Sequence, residues 1–493
     1  MKKSENEIAE SKKAGLYPLV KFIALFLAVL LPIIPICVMI VRIPDTYAET
    51  FLGELTYKFQ RLKATDEKKI VVVGGSSVAF GLDSEMLSEH LGYEVVNFGL
   101  YASLGTKIML DLSKANINEG DIIILAPELD TQTLSMYFNA ETTWQALDSD
   151  LSMLPYIGTD NWGDLWGQFP EYFSDVASLA LKGEKISPTG VYRQDSFDEY
   201  GDISYAREYN QMSGGYDPSQ IISLSPALFE QEFLDYMNEY IGYAKEKGAT
   251  VYYTFCPMNE AAIDENTTEE SLAEFYKYVA QNIDCEVISD PSSTILDKNY
   301  FYDSNFHLND AGVTVRTAAL IEDIYRAMGK TEVLSLELPA PPELPKKEGP
   351  EYWVENEWSS LFVYEDFADG YKIVGVTDEG KARKKLEIPY MANGKPVWVL
   401  TKDALVGCSE LEELSIYENI TTIESGFFSA SPKLAVINMN RTSAEDLAVD
   451  QATLFDGANE NLQIRFGSID AYNNFVTGYF WANYSSYMVR PEE

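Results

Sequence analysis

Histidine is almost absent from this chain of 493 residues, which contains only His90 and His307. Metal sites built from several imidazoles are therefore excluded, and histidine-dependent catalysis has just two candidate residues. Cysteine is also scarce, and the four cysteines lack the spacing of metal ligands. Cys256 and Cys285 fall on predicted strands, where either a disulfide or two buried thiols would fit. We predict no cofactor and no metal site.

Positive charge is the second deficit, with 37 Lys and Arg against 77 Asp and Glu and a formal net charge of -40. Nucleic-acid binding needs a basic surface, so that class of function is disfavoured. The charge predicts a solvated acidic surface. The length exceeds that of one ordinary hydrophobic core, which predicts two domains with accessory segments.

Charged residues are missing from Phe22 to Val41, a run of 20 mostly apolar residues. This length suffices to span a bilayer, and it exceeds the apolar region of most signal peptides. Lysines are more frequent before the run than basic residues are after it, which predicts a cytoplasmic N-terminus. We therefore expect a single-pass anchor over residues 19–42, with the remaining chain outside the cell membrane. A lipid anchor at Cys37 is a lesser alternative.

Alternating strands and helices follow the predicted anchor. Such alternation is typical of a parallel sheet covered by helices on both faces. The predicted strands are Ile70–Val73, Tyr93–Asn97, Asp121–Ala126, Ala249–Phe255 and Cys285–Ile288, and the main predicted helices are Ser84–Leu91, Leu104–Ala115, Phe229–Lys247 and Ala311–Met328. Residues 130–228 interrupt the pattern as a long aromatic-rich insertion. Its aromatic residues predict either a wall that stacks on sugar rings or a small core of its own.

The first strand runs directly into a Gly-Gly-Ser-Ser turn, Gly74 to Ser77. The carboxyl end of a strand is where open α/β sheets place their functional sites. Ser77 is consequently a candidate nucleophile, although a plain turn with a serine cap would have the same sequence. His307 precedes the last helix as either a base or a capping-loop residue. His90 falls on the predicted solvent side of the helix after Ser77.

A proline-rich stretch, residues 338–350, separates this region from a different pattern. Beyond it, Leu411, Leu414 and Ile416 recur as Leu434, Ile437 and Met439, each 23 positions later. Each copy is too short to bury its own apolar face, so the copies must stack. The predicted organisation is a cytoplasmic tail (1–18), an anchor (19–42), a connector (43–66), an α/β domain (67–330, with the insertion 130–228), a linker (331–351) and a repeat domain (352–493).

Three blocks of the α/β domain resemble the SGNH (GDSL-like) hydrolase superfamily, particularly its membrane-anchored extracytoplasmic branch of teichoic acid D-alanylation and alginate O-acetylation proteins. They are the turn Gly75-Ser76-Ser77, the segment Val96-Asn97-Phe98-Gly99, and the segment Phe301 to His307. The resemblance implies a three-layer α/β/α sandwich with Ser77 as nucleophile, His307 as base and Asp303 as the orienting acid.

The same resemblance implies an oxyanion hole formed by the amides of Ser77 and Gly99. Asn97 or another amide would serve as a further donor, or the hole has only two backbone donors. Two features differ from the family pattern. Asp303 lies four residues before His307, where the family has three. After the third strand stands Ala126-Pro-Glu128-Leu-Asp130 instead of Gly-x-Asn-Asp, so this block supplies no asparagine donor.

The C-terminal repeat resembles the BspA-type leucine-rich repeats of bacterial surface proteins, over about residues 371–487, with an end cap at 462–484. In that family the repeats act in recognition or adhesion. Together the resemblances imply a small solenoid behind a surface O-acyl esterase or O-acyltransferase. Its expected partners are an acylated carbohydrate or cell-envelope polymer and a membrane-bound O-acyltransferase. The alternative is a non-catalytic adhesion protein with a degenerate SGNH domain and ligand-binding repeats.

Overall fold

The computed structural model describes residues 20–22, 24–28, 46–148, 150–188, 190–331, 333–342, 353–444, 447–449, 454–455, 457–477 and 481–491. The predicted cytoplasmic tail, Cys37 and most of the predicted anchor lie outside these ranges. Within the ranges, no helix is both long and apolar enough to cross a membrane.

Helices and strands alternate through the first two thirds of the chain, and strands dominate the last third. The α-helices are α1 Glu54–Ala64, α2 Ser76–Ala79, α3 Ser84–Leu91, α4 Thr106–Ser113, α5 Ala140–Leu147, α6 Trp162–Lys182, α7 Gln231–Glu246, α8 Glu269–Asn282, α9 Asp310–Ala327, α10 Asp378–Lys381 and α11 Ile469–Thr477. The strands up to residue 300 are β1 Lys69–Gly74, β2 Glu94–Gly99, β3 Ile122–Ala126, β4 Thr250–Tyr253, β5 Met258–Asn259, β6 Glu286–Val287 and β7 Ile295–Leu296. The later strands are β8 Phe362–Phe367, β9 Gly370–Val376, β10 Lys385–Glu387, β11 Met391–Ala392, β12 Lys395–Leu400, β13 Glu413–Tyr417, β14 Thr422–Ile423, β15 Val436–Asn440, β16 Ala448–Val449, β17 Gln463–Phe466 and β18 Met488–Val489.

A parallel sheet in the order β2-β1-β3-β4-β6 forms the first architecture. Alternate residues of β1 enter different cores because successive side chains of a strand point to opposite faces. Val71 and Val73 belong to the cluster that includes α1, α4 and α7 residues. Ile70 and Val72 pack in the cluster with residues of α3 and α9. The predicted α/β class, with a parallel sheet buried on both faces, is confirmed.

The insertion adds α5 and α6, and its aromatic residues largely pack together. Trp144 of α5 is buried and stacks on Tyr172 of α6, with ring centroids 5.4 Å apart. Phe169 lies 4.9 Å from Trp144 by the same measure. These rings therefore form a local core that is continuous with the main one. Trp162 and Trp166 remain exposed on α6.

Parallel strand pairing also organises the chain beyond residue 353. One sheet has the order β10-β13-β15-β17-β18, and a second contains the parallel pairs β9-β12, β12-β14 and β14-β16. Leu414 pairs with Ile437, an offset of 23 positions, and Leu400 pairs with Ile423 at the same offset. Strands related by the sequence repeat are thus neighbours, and their apolar residues share a separate core.

We expect Leu414→Ala to destabilise this second core. The Leu414 side chain is fully buried, and truncating a buried leucine costs about 2–5 kcal/mol. The matched control is Val406→Ala, because Val406 is exposed and surface changes usually stay within about 0.5 kcal/mol. Native-state hydrogen exchange of β13 and β15 peptides measures the difference. Equal protection in both variants would contradict the role assigned to Leu414.

Candidate active site

Two glycines allow the turn after β1 to approach the loop after β3. A Cβ atom on Gly74 would lie 2.4 Å from the carbonyl oxygen of Ala126, and one on Gly75 would lie 3.0 Å from Glu128 Oε1. A side chain at Gly74 would clash with backbone, and one at Gly75 would displace the carboxyl group. The glycines therefore bring the start of α2 against the carboxyl end of β3.

A hydrogen-bonded relay crosses this edge of the sheet. The Ser76 hydroxyl lies 2.8 Å from His307 Nε2. His307 Nδ1 lies 2.8 Å from Asp303 Oδ1. Asn309, the N-cap of α9, accepts from Gly312 N at 3.0 Å and donates to Phe301 O, which fixes the loop that carries His307. Serine, imidazole and carboxylate in this order are the arrangement that activates a hydroxyl for nucleophilic attack.

The structure corrects the assignment of the serine by one position. The resemblance implied that Ser77 carries the hydroxyl that faces His307, whereas this hydroxyl belongs to Ser76. Consecutive residues of a helix point about 100° apart, because α-helices have about 3.6 residues per turn. Ser77 therefore faces a cavity of about 20 Å³ lined by residues that include Cys256 and Arg316. Its hydroxyl has no hydrogen-bond partner among the described residues.

A residue of the insertion binds the second carboxylate oxygen of Asp303. The Tyr192 hydroxyl donates to Asp303 Oδ2 at 2.5 Å. Burial, followed by the charge of Asp303, raises the pKa of Tyr192 well above its usual value, so this hydroxyl keeps its proton. The longer spacing of four residues between Asp303 and His307 is thus compatible with the contact. Nothing in the sequence distinguished Tyr192 from the other tyrosines of the insertion.

An aromatic ring covers one face of the imidazole. Phe80 stacks on His307 with ring centroids 4.0 Å apart and an interplanar angle of 5°. On Phe80, the Arg207 guanidinium carbon lies 5.4 Å from the ring centroid, and Arg207 Nη1 donates to the Phe80 carbonyl. Stacking restricts rotation of the imidazole about its side-chain bonds. Phe80 therefore fixes the plane of the imidazole ring, and the hydrogen bond to Asp303 fixes its rotation within that plane.

Glu128 also contacts Ser76 at this edge of the sheet, and the sequence did not predict this contact. Its Oε1 accepts from Ser77 N at 2.5 Å and lies 2.9 Å from Ser76 Oγ. The side chain is buried. Burial, followed by the charge of Asp130, raises the pKa of Glu128, while His307 and the hydrogen bonds from Ser77 and Ser76 oppose this rise. The cue available from the sequence was the absence of the family's asparagine in this block.

The expected oxyanion donors occupy different positions. Ser77 N–H points at the oxygen that also contacts Ser76, so it lies beside the hydroxyl. Gly99 N–H instead donates to Asn97 Oδ1 at 3.1 Å. The Asn97 amide donates to Val78 O at 3.0 Å and to Asp202 Oδ1 at 2.7 Å. Asn97 and Gly99 thus join β2 to α2, and the structure does not present the Asn97 amide to Ser76.

The remaining candidates lie apart from this relay. His90 Nδ1 is 3.0 Å from the Met86 carbonyl on α3. Cys256 and Cys285 are free thiols, not a disulfide. Among the described side chains, no group of three or more His, Cys, Asp or Glu is arranged to hold a metal ion.

Comparisons with protein-family models, with curated proteins and with solved structures find no match to this chain. A hydroxyl, a base oriented by a carboxylate, and a backbone N–H beside the hydroxyl together suit acyl transfer.

We expect Ser77→Ala to change the free energy of unfolding by less than about 1 kcal/mol, because it removes a buried hydroxyl that has no partner. Thr133→Val is the matched control, since the Thr133 hydroxyl donates to Glu128 O at 2.6 Å. Losing one member of such a bond leaves a buried acceptor and costs about 1–3 kcal/mol. Urea denaturation of both variants measures the two values. A loss for Ser77→Ala as large as that for Thr133→Val would contradict the assigned orientation.

Proposed function

We propose that this protein is a serine-dependent O-acyl esterase or O-acyltransferase that acts through an acyl-Ser76 intermediate. The relay from Ser76 Oγ to His307 Nε2 and from His307 Nδ1 to Asp303 supports the proposal, with both distances at 2.8 Å. Such a relay needs two remote chain segments, the turn after β1 and the loop before α9, to converge with matched donors and acceptors. A capped turn alone requires none of these contacts.

Formation of the intermediate begins at the hydroxyl. His307 Nε2 takes the proton of Ser76 as Oγ forms a bond to the acyl carbon of an ester. The carbonyl electron pair moves onto oxygen, and the N–H of Ser77, which donates to Glu128 Oε1 in the free site, would turn its donation to that oxyanion when substrate binds. The protonated imidazole is stabilised by Asp303, which also keeps the proton on Nδ1 in the resting state.

Collapse of the tetrahedral intermediate breaks the bond to the alcohol. His307 Nε2 returns its proton to the leaving alkoxide oxygen, and the acyl group remains on Ser76. A water molecule or a second hydroxyl then attacks the acyl carbon, with His307 acting again as base. Water gives ester hydrolysis, and a carbohydrate or polyol hydroxyl gives transfer. Each route regenerates the Ser76 hydroxyl and the neutral imidazole.

The substrate class and the setting rest on the resemblances found in the sequence. The SGNH-like blocks support a three-layer sandwich, an acylated carbohydrate or cell-envelope polymer as substrate, and a membrane-bound O-acyltransferase as partner. The 23-residue register of β13 and β15 supports a small leucine-rich-repeat solenoid. The predicted anchor and the positive-inside bias support an extracytoplasmic position for both domains.

A surface adhesion protein without catalysis is the second candidate. The contact that favours it is the one between Glu128 and Ser77 N–H, because the carboxyl oxygen occupies the donor that an oxyanion would need. In that case the repeats would bind a host or cell-wall ligand. The two candidates differ in whether Ser76 reacts with an acyl donor.

Ser76→Ala and His307→Ala should each abolish p-nitrophenyl acetate turnover, and Ser76→Ala should also abolish labelling by a fluorophosphonate probe. Loss of the base alone is worth about 10² to 10⁴ in rate. Ser77→Ala is the matched control, since its hydroxyl points away from the relay, and it should remain labelled.

The adhesion alternative predicts neither turnover nor labelling in the unaltered protein. Labelling that disappears in Ser77→Ala but persists in Ser76→Ala would show that the nucleophile had been assigned to the wrong serine. Mass spectrometry of the labelled peptide distinguishes the two positions.

Tyr192→Phe should lower kcat with little change in KM, because Tyr192 orients Asp303 and lies outside the hydroxyl-to-imidazole step. A hydrogen bond to a charged group is worth about 1.5–3 kcal/mol, which corresponds to about 10- to 150-fold. Tyr325→Phe is the control, since its hydroxyl donates to the His90 carbonyl at 2.8 Å, away from the relay. Equal kcat values for the two variants would remove Tyr192 from the positioning of the acid.

A further inference from the structure

The Ser76 hydroxyl faces two hydrogen-bond acceptors but has only one proton. His307 Nε2 lies 2.8 Å from Ser76 Oγ, and Glu128 Oε1 lies 2.9 Å from the same atom. His307 Nδ1 faces the Asp303 carboxylate, which requires a proton on Nδ1. Neutral imidazole therefore has no proton on Nε2. To act as a base, Nε2 must accept the hydrogen bond from the Ser76 hydroxyl.

That use of the serine proton decides the state of Glu128. If Ser76 donates to His307, the contact between Ser76 and Glu128 is a hydrogen bond only when the carboxyl group supplies the proton. An ionised Glu128 would instead accept the hydrogen bond from the Ser76 hydroxyl. His307 Nε2 would then have to carry a proton and donate it in a hydrogen bond to Ser76 Oγ. The second arrangement leaves His307 unable to accept the proton during attack.

We propose that Glu128 is a catalytic residue that works as a neutral acid, donating its proton in a hydrogen bond to Ser76 in the resting site and to the oxyanion during acyl transfer. This inference rests on the proposed function of Ser76. Glu128 would take the part of a side-chain donor at the oxyanion, beside the N–H of Ser77. No covalent bond of Glu128 changes, because the proton stays on the carboxyl group throughout.

The surroundings of Glu128 favour the neutral form. The side chain is buried between the Gly75 turn and the loop after β3, and a Cβ on Gly75 would meet both carboxyl oxygens within 3.4 Å. Three titratable groups face it: Asp130 from its own loop, Cys256 from the segment after β4, and His307 from the loop before α9. Asp130 disfavours a second negative charge, and burial raises the pKa of the Cys256 thiol, which leaves it uncharged.

A buried cation on α9 is directed away from Glu128, toward the segment after β4. Arg316 of α9 donates to Thr254 Oγ1 at 2.9 Å and to Phe255 O at 2.8 Å. Its charge bears on the Cys256 thiol, lowering the pKa of that group against the dominant effect of burial. Burial and Asp130 together raise the pKa of Glu128 against the opposing charge of His307 and the hydrogen bonds with Ser77 N and Ser76 Oγ. The proton on Glu128 is therefore lost only as pH rises through that raised value.

Nitrogen NMR of the imidazoles tests the proton count without requiring turnover. The whole chain labelled with ¹⁵N-histidine has two imidazoles, and His90 serves as the internal reference. At pH 7 we expect His307 to carry its proton on Nδ1 with a bare Nε2, both in the unaltered protein and in Glu128→Gln. A protonated Nε2 in the unaltered protein that becomes bare in Glu128→Gln would overturn the inference.

The pH dependence of acetate-ester turnover gives a second test. Activity of the unaltered protein should be present below the pKa of Glu128 and fall as pH rises through it. Glu128→Gln cannot ionise and still has an amide donor, so it should lack this alkaline decline. Glu128→Ala should lose about 10² to 10³ in kcat, as removal of an oxyanion donor does, and Glu128→Gln should lose less.

The outcomes separate this inference from the proposed function. Turnover that survives in Ser76→Ala would overturn the nucleophile, while the NMR comparison would still decide where the proton of Glu128 resides. Higher kcat in Glu128→Ala than in the unaltered protein would show that Glu128 blocks the site and would overturn its donor role. An alkaline decline shared by the unaltered protein and Glu128→Gln would do the same.

Discussion

The close approach of the β1 turn to the loop after β3 is the constraint on which the site depends. Gly74 pairs with Ala126 in the parallel register, and no side chain intervenes between the two backbones. This proximity places the Glu128 carboxyl and the Ser76 hydroxyl 2.9 Å apart, although 52 positions separate them. His307 reaches the same point, although it lies 231 positions after Ser76. It does so because α9 packs on the sheet and the capped N-terminus of α9 faces the carboxyl edge. Parallel pairing thus gathers residues that are remote in the chain.

Much of the architecture could be predicted from the sequence because local patterns specify it. The β-branched run in β1 is apolar at every position, which suits a strand buried on both faces, and the observed strand begins one residue earlier than expected. Repeated apolar positions predicted which later strands are neighbours, since stacking is the only way for short copies to bury them. His307 was identified partly by elimination, since the chain has only two histidines, and partly from the family pattern. The contact between Asp303 and His307 followed from a family pattern that differs here by one position.

Contacts set by rotation within one turn, or by distant segments, could not be predicted. Choosing between Ser76 and Ser77 requires the helical phase of α2, which a two-residue motif does not contain. Tyr192 comes from an insertion with many tyrosines, and its partner lies 111 positions away. Asn97 has the residue type of an oxyanion donor, but its amide group donates to other buried groups that join β2 to α2. The position of Glu128 depends on the absence of a side chain at Gly75. The pattern of apolar residues in the sequence does not reveal this close packing.

Tyr192 connects the insertion to the relay of Ser76, His307 and Asp303 through its hydrogen bond to Asp303. The same hydroxyl that aligns Asp303 belongs to the segment lying over the carboxyl edge, so any opening of that segment that withdrew Tyr192 would also release the acid. If Ser76 carries an acyl group as proposed, withdrawal of Tyr192 would leave the base without the acid that orients it.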